Sequence, residues 1–224
     1  MESWKMFMNY RRMRHIKRCN NFPTLVSIDV AQHSYYTTML SMLFADECVQ
    51  NTTLLIVIDM ERLLRKSLLH DTEEAFTSDI PYPIKHASES IHDGLENVIH
   101  HKMIELIGEN SIMLDWEFYR KHCKNGIEGS IVSFCDMLEL ALWCYEEYCI
   151  GNRNIISLLD NCNKYLDELL NESVFKLYGK SLSVLKEQNR ISELIPSIWY
   201  LRQMVQRDEV SGEYKIHDFV ADLP

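Results

Sequence analysis

The chain has 224 residues, 46% of them hydrophobic, which is enough to form one well-packed domain. With only 7 Gly and 5 Pro, a turn-rich all-β fold is disfavoured and long helices are favoured. The formal net charge of −10 excludes DNA or RNA binding as the main activity, because such binding requires Lys and Arg to neutralise many phosphates. A small anionic molecule remains a candidate ligand if a metal and a few cations concentrate positive charge locally.

The cysteines and apolar runs indicate a cellular location. The 7 cysteines have no CxxC spacing, which is typical of reduced thiols in a cytoplasmic protein. The N-terminus lacks the apolar stretch of a secretory signal. The longest apolar run, residues 54–58, is much shorter than the roughly 20 residues that a membrane span needs. We therefore expect a cytoplasmic protein that has no membrane partner.

Hydrophobic residues at helical spacing predict helices over most of the chain. We predict helices at residues 2–17, 30–50, 54–69, 88–107, 112–123 and 128–149, a helical turn after Asp71, an extended link at 80–83, and two or three helices within 154–206. No linker or repeat divides the sequence. We therefore predict one all-α domain over residues 1–224, with a core at about 5–150, C-terminal helices at 154–206 and a polar tail at 207–224.

Two of these helices have a predicted buried face. In the helix at 30–50 the buried residues are expected to be Met39, Leu40, Met42, Leu43 and Phe44. In the helix at 88–107 they are expected to be Ile91, Leu95, Val98 and Ile99.

Asp136 is an anomaly in the helix predicted at 128–149, because its neighbours are apolar nearly all the way round. Such a helix is buried. A buried ionised carboxylate without a partner costs several kcal/mol or neutralises itself through a pKa shift. An Arg or Lys side chain and a metal ion are the two economical partners, and Asp136 alone does not decide between them.

Three other side chains of ligand type stand near helix ends. His33 lies in the first turn of the helix predicted from residue 30, and His70 and Asp71 end the apolar helix before them. With Asp136 they make two imidazoles and two carboxylates from three helices, a set that suits Mn, Fe, Co or Zn better than Mg or Ca. The two remaining His-Asp pairs have no accompanying candidate ligand: His92-Asp93 and His217-Asp218.

The order of these residues resembles that of the HD-domain metal-dependent phosphohydrolases. The detail is more similar to the bacterial 5'-deoxynucleotidase family. The matching blocks are Arg18, residues 30–34 (VAQHS), residues 70–85 (HDTEEAFTSDIPYPIK) and residues 135–138 (CDML) leading to Glu146-Glu147. The long block at 70–85 is the specific one.

The sequence also departs from the family pattern. Cys19 stands where the family typically has tryptophan, and Ser78 stands where it has glycine. No block after about residue 155 matches.

The resemblance implies an HD-type helical bundle with one divalent transition metal, which would be Co, Mn, Zn or Fe. The implied metal ligands are His33, His70, Asp71 and Asp136.

The same resemblance implies roles for four further residues. Glu74 would be the general acid/base, and Asp79 would orient water or substrate. Arg18 would bind the phosphate, for which its planar fork is suited. Lys85 would be a further substrate-binding residue.

The implied activity is hydrolysis of deoxynucleoside 5'-monophosphates to deoxynucleoside and phosphate, by a homodimer. An alternative is cleavage of deoxynucleoside triphosphates to release pyrophosphate or triphosphate. A third possibility, from a different class, is a non-catalytic nucleotide-binding protein that has kept the fold.

Overall fold

The computed structural model describes residues 3–51, 57–85, 87–107, 111–178 and 191–216. Within these ranges the protein is mainly helical and has no strand, only two isolated β-bridges, Lys17 to Asp29 and Arg207 to Tyr214. The all-α fold predicted from the sequence is therefore confirmed. A search of the same ranges finds no helix whose length and hydrophobicity would let it span a membrane.

The helices follow the predicted order. They are α1 (Ser3–Tyr10), α2 (Val30–Gln50), α3 (Met60–Leu69), α4 (Glu74–Thr77), α5 (Tyr82–Lys85), α6 (Glu89–Ile107), α7 (Ser111–Lys121), α8 (Gly126–Cys149), α9 (Ile156–Tyr178), α10 (Ile191–Leu194) and α11 (Pro196–Met204). Two short 3-10 segments occupy Arg11–His15 and Arg153–Ile155.

Three predicted boundaries are wrong. The helix predicted at 2–17 is α-helical only to Tyr10, continues as a 3-10 segment to His15 and gives way to extended backbone at Ile16. Residues 57–59 are not helical, and α3 begins after Asp59, whose side chain accepts the backbone N–H of Arg62. The extended link ends before Tyr82, because Pro83 lies in the first turn of α5, where proline needs no hydrogen-bond donor.

Helix α2 begins where the sequence predicts. The Asp29 carboxylate accepts the N–H of Gln32 at 2.8 Å, and the Gln32 side chain accepts the N–H of Asp29 at 3.1 Å. This reciprocal pair is a capping box, which stabilises the first turn of a helix. The cap fixes the start of α2 and so places His33 in its first turn, where the side chain is 1% exposed.

The predicted buried face of α2 is largely wrong. Met39 and Leu43 are 48% and 36% exposed, and of the five residues only Phe44 is fully buried. The inward face carries small hydroxyl residues instead. Two of them satisfy their own donors one turn back, since Ser34 donates to the Val30 carbonyl at 2.9 Å and Ser41 to the Thr37 carbonyl at 2.8 Å. Hydroxyls bonded in this way can be buried without an unpaired donor.

Helix α8 is the centre of the main core and packs against α2, α3 and α9. Its buried residues include Ile131, Phe134, Leu138 and Ala141, all fully inaccessible. The predicted burial of this helix is therefore correct. Since α2 and α3 both lie on α8, the three helices that carry the predicted metal ligands meet at one place.

The predicted face of α6 is only partly buried. Ile99 is 1% exposed, whereas Ile91 and Val98 are 41% and 55% exposed. His92, on the same helix, also has an exposed side chain and approaches its neighbour Asp93 at 3.5 Å. The pair His217-Asp218 lies outside the described residues.

Candidate metal centre

The structure groups three of the four side chains predicted as metal ligands and places the fourth, Asp136, next to them. His33 comes from α2, His70 and Asp71 follow the end of α3, and Asp136 comes from α8. His33, His70 and Asp71 offer ligand atoms that all lie within 4.8 Å of one another. Asp136 joins them, with Oδ1 at 3.0 Å from His33 Nε2 and 3.7 Å from His70 Nε2.

The spacing of these atoms fits a single ion. The two Nε2 atoms are 3.4 Å apart, and Asp71 Oδ2 lies 3.2 Å from His70 Nε2 and 3.6 Å from His33 Nε2. Ligands about 2.1 Å from one metal ion are separated by roughly 3.0 to 3.5 Å in octahedral or tetrahedral geometry. The observed separations run from 3.0 to 3.7 Å, so the longest of them would shorten slightly around an ion.

Each histidine is oriented by a hydrogen bond at its other ring nitrogen. His70 Nδ1 donates to the Ser67 carbonyl at 2.7 Å, and His33 Nδ1 makes a short bond to the Glu139 carboxylate. Because carbonyls and carboxylates accept, each ring carries a proton on Nδ1 and turns Nε2 towards the two aspartates. In a neutral ring the Nε2 atom would be available to bind a metal ion, and outer bonds of this kind are typical of metal-ligating histidines.

The sequence reasoning missed Glu139. This residue is 6% exposed, lies three positions after Asp136 on α8, and so shares a face with it. A second acid on the same face of an apolar helix was the signal that could have identified it.

Arg18 borders this cluster. Its Nη1 donates to Asp71 Oδ2 at 2.6 Å and to Glu74 Oε1 at 3.3 Å, and its Nη2 is 3.9 Å from Asp136 Oδ1. The backbone positions it, since the Arg18 N–H donates to the Ile28 carbonyl at 3.0 Å just before α2. The buried Nε has no acceptor among the described residues.

Glu74 stands beside the cluster with a buried carboxyl group. Its side chain is 7% exposed, and Oε2 has no hydrogen-bond partner in the described part of the chain. Burial is the largest cause, and the Asp71 carboxylate the next, of a pKa raised to about 9. Glu74 therefore carries a proton at neutral pH. Asp71 behaves differently: although burial acts against ionisation, His70 and Arg18 lower its pKa below the usual range.

Asp79 anchors the segment that carries Arg18. Its Oδ2 accepts the Cys19 backbone N–H at 2.8 Å, and its carbonyl accepts from Asn20 Nδ2 at 3.4 Å. Cys19 and Ser78 both have positive φ, 52° and 61°, which is unusual for residues with a Cβ. The bond between the two loops holds these unusual conformations next to the site.

Lys85 lies near the cluster but bonds another acid. Its Nζ donates to Glu73 Oε1 at 2.9 Å, and Glu73 Oε2 lies 3.5 Å from Arg120. Arg120 is 3% exposed and also binds Glu117 at 2.8 Å and Glu96 at 3.2 Å. This buried ion network lies directly behind Glu74 and ties α5, α6 and α7 together.

Lys124 is a cation that the sequence reasoning missed. It donates from Nζ to Asp136 Oδ2 at 2.6 Å, so Asp136 has a lysine partner on one oxygen and histidines at the other. Of the two economical partners considered for this aspartate, the structure thus shows the lysine. Asp136 is not deeply buried, with a side chain 23% exposed.

The fold is the one seen in solved HD-domain phosphohydrolases. A protein of this description from Listeria innocua superposes with a TM-score of 0.63 at 20% identity, covering 91% of this chain and 99% of that one. The cyanophage S-2L HD phosphohydrolase DatZ, solved with dA and one catalytic Zn²⁺ ion, gives a TM-score of 0.60 at 13% identity. The superposition covers 88% of this chain and 95% of that one. These similarities confirm the predicted HD-type bundle.

The sequence comparisons identify the family. A family model described as 5'-deoxynucleotidase YfbR-like matches residues 5–182. A 5'-deoxynucleotidase of Erwinia tasmaniensis is 24% identical over 163 residues, 70% of this chain and 81% of the relative. The 5'-deoxynucleotidase YfbR of Escherichia coli is 23% identical over 153 residues, which are 66% of this chain and 76% of the relative. The chain belongs to the YfbR-like 5'-deoxynucleotidase family, as the resemblance predicts.

Proposed function

We propose that this protein is a metal-dependent phosphohydrolase that converts deoxynucleoside 5'-monophosphates into deoxynucleosides and phosphate. The observation that carries the proposal is the cluster of His33, His70 and Asp71, with Asp136 next to it, beside a protonated Glu74 and an arginine. The names of the curated relatives support the substrate class. The family model supports it as well.

We assign the metal ligands as His33, His70, Asp71 and Asp136. A divalent ion held there would polarise a phosphate oxygen and lower the pKa of water towards neutrality. The nitrogen and oxygen donor set suits Co, Mn, Zn or Fe. The catalytic Zn²⁺ in the DatZ structure supports a transition metal in this fold.

Glu74 is proposed to protonate the leaving group. Hydrolysis of the monoester adds water to phosphorus and breaks the bond between phosphorus and the 5'-oxygen, which needs a proton as it leaves. A carboxyl group with a pKa of about 9 holds that proton at neutral pH. Its free Oε2 is the atom from which the proton would be delivered.

Arg18 and Asp79 are proposed to position the substrate. The guanidinium has a buried Nε donor without an acceptor among the described residues, which a phosphate oxygen would satisfy. Asp79 holds the Arg18 loop through the Cys19 N–H and can orient water or substrate from there. Lys85 is retained as a substrate-binding residue, and it would have to exchange its bond to Glu73 for one to the substrate.

The test is a substrate screen with product analysis. Nucleoside mono-, di- and triphosphates, in ribo and deoxy forms, are incubated with Mn, Co, Zn or Mg, and products are separated by chromatography. Release of phosphate from deoxynucleoside monophosphates supports the proposal. Intact triphosphate or pyrophosphate as product would replace it with triphosphohydrolase activity. Nucleotide binding without turnover under any metal would replace it with a binding function.

A homodimer is part of the proposal. Helix α1 exposes Trp4, Phe7 and Met8, at 60%, 55% and 51%, and apolar side chains of this size are costly to leave in water. Light scattering should give twice the mass of 26.5 kDa for the wild type and a monomer for a Trp4→Glu, Phe7→Glu variant. A wild-type monomer at all concentrations would contradict this part.

A cytoplasmic location is also proposed. All seven cysteines are free thiols, five of them buried, which agrees with a reducing compartment. Fractionation of the native cell would test it, and recovery of the protein outside the cytoplasm would contradict it.

A further inference from the structure

A phosphate dianion that enters this site must approach a surface rich in carboxylates. The acids around it are Asp71, Glu74, Asp79 and Asp136. Of the cations nearby, Lys85 and Arg120 are paired with the buried Glu73. Within the part of the chain that the structure describes, this leaves two cations beside the metal-binding carboxylates, Arg18 and Lys124.

Lys124 has the geometry of a ligand-binding lysine. Its ammonium bonds Asp136 Oδ2 at 2.6 Å, while its side chain is 46% exposed. By comparison, the structural Arg120 is 3% exposed. An ammonium group has three donors, and Asp136 is its only hydrogen-bond partner in the described residues. Two donors therefore remain for a ligand that approaches from solvent.

The two carboxylate oxygens of Asp136 have different partners. Oδ1 lies 3.0 Å from His33 Nε2, and Oδ2 is bonded to Lys124. Asp136 can thus bind an ion through Oδ1 without losing the lysine, as ligating carboxylates with a bonded outer oxygen commonly do. Arg18 approaches the same carboxylate from the Oδ1 side at 3.9 Å. The two cations therefore flank a single carboxylate.

The backbone around Gly129 positions Lys124 next to Asp136. Lys124 belongs to the turn before α8, and a Cβ added to Gly129 would lie 2.2 Å from the Lys124 carbonyl carbon and 2.5 Å from its oxygen. Only glycine permits that approach. The close packing of the turn against α8 brings the lysine to Asp136.

We propose that Lys124 binds the phosphate group of the substrate together with Arg18, as a second cation on the opposite side of Asp136. This inference rests on the proposed phosphohydrolase function and adds a residue to it. Lysine acts as a point charge with rotatable donors, so it can hold Asp136 and a phosphate oxygen at once.

The experiment measures binding of inorganic phosphate by calorimetry to protein saturated with Mn²⁺ or Zn²⁺. The variants are Lys124→Gln, Lys124→Arg and the matched control Lys121→Gln, which removes the same charge from an exposed position at the end of α7. We expect phosphate binding about 10- to 100-fold weaker in Lys124→Gln, partly restored in Lys124→Arg, and within about twofold of wild type in Lys121→Gln.

A second readout separates phosphate binding from a purely structural role. Metal affinity of the variants, measured by competition with a chelator in the absence of phosphate, should remain within a few fold of wild type. Steady-state kinetics should show KM for the nucleotide raised more than kcat is lowered.

Unchanged phosphate affinity in metal-saturated Lys124→Gln would overturn the inference, and so would a loss confined to metal affinity. If wild type itself neither binds phosphate nor hydrolyses any nucleotide, the proposed function fails instead.

Discussion

Replacing Glu139 with glutamine should weaken metal binding although this residue touches no metal. The Glu139 carboxylate accepts the His33 Nδ1 proton and is 6% exposed, so it fixes the ring and increases the basicity of Nε2. Glutamine keeps the size of the side chain and its acceptor oxygen but removes the charge. Loss of such outer partners typically reduces metal affinity 10- to 100-fold, which corresponds to about 1.4 to 2.7 kcal/mol.

The assay is chelator competition with Zn²⁺ or Co²⁺ on metal-stripped protein. The matched control is Glu146→Gln, which makes the same change at an exposed position two turns further along α8. Circular dichroism should show both variants folded. Equal metal affinity in Glu139→Gln and Glu146→Gln would refute the claim that the bond to His33 shapes the site.

Three other perturbations follow from the packing and charges. Burial raises the pKa of Glu74 above its unfolded value, to about 9, so the stability that its protonated form contributes is complete below about pH 4.5 and is lost as pH rises towards 9. Urea titrations in the presence of a chelator should therefore show the wild type losing up to a few kcal/mol of unfolding free energy relative to Glu74→Gln between pH 5 and 9. A difference in stability that stays constant over this range would contradict the shift. Gly129→Ala should cost about 1 to 3 kcal/mol in thermal or urea unfolding and displace the Lys124 turn, whereas no loss would mean that the turn does not need the close approach. Arg120→Met should lower the free energy of unfolding by about 3 to 5 kcal/mol, because it removes the buried cation of Glu117 and one of the two cations of Glu73. A loss below about 1 kcal/mol would show that the network contributes little.

The sequence predicts the start of a helix best where it contains residues that form an N-terminal cap. Asp29 and Gln32 form the capping box that begins α2, so the position of His33 on the first turn was predictable. Asp59 also caps α3 by accepting the Arg62 N–H, although without a capping box, whereas the predicted start of this helix was residue 54. The residue that caps this helix therefore marks its start, as Asp29 does for α2.

Burial was harder to predict when hydroxyl groups replaced apolar ones. Ser34 and Ser41 are buried because their donors bond to the backbone of their own helix, an option that a hydrophobicity pattern does not record. The methionines and leucines of α2 that were expected in the core are partly exposed instead. For similar exposed apolar residues on α1, the proposed role is contact between subunits.

The candidate ligands were predictable because each is a polar residue in an apolar setting. Asp136 within α8 and His70 at the end of α3 both required a partner, and the structure brings them together. The supporting residues were not predictable in the same way. Lys124 reaches Asp136 only because of a backbone approach at Gly129, which depends on tertiary packing rather than on sequence spacing.

Metal content of Asp136→Ala, compared with wild type, tests the central claim most directly. Both proteins are loaded with Zn²⁺, Mn²⁺ or Co²⁺, desalted, analysed for metal per chain, and assayed for phosphate release from deoxynucleoside monophosphates. The account predicts one ion per chain and turnover in wild type, with the metal largely lost and turnover abolished in the variant. A variant that retains a full equivalent of metal, or a wild type that binds none, would contradict it.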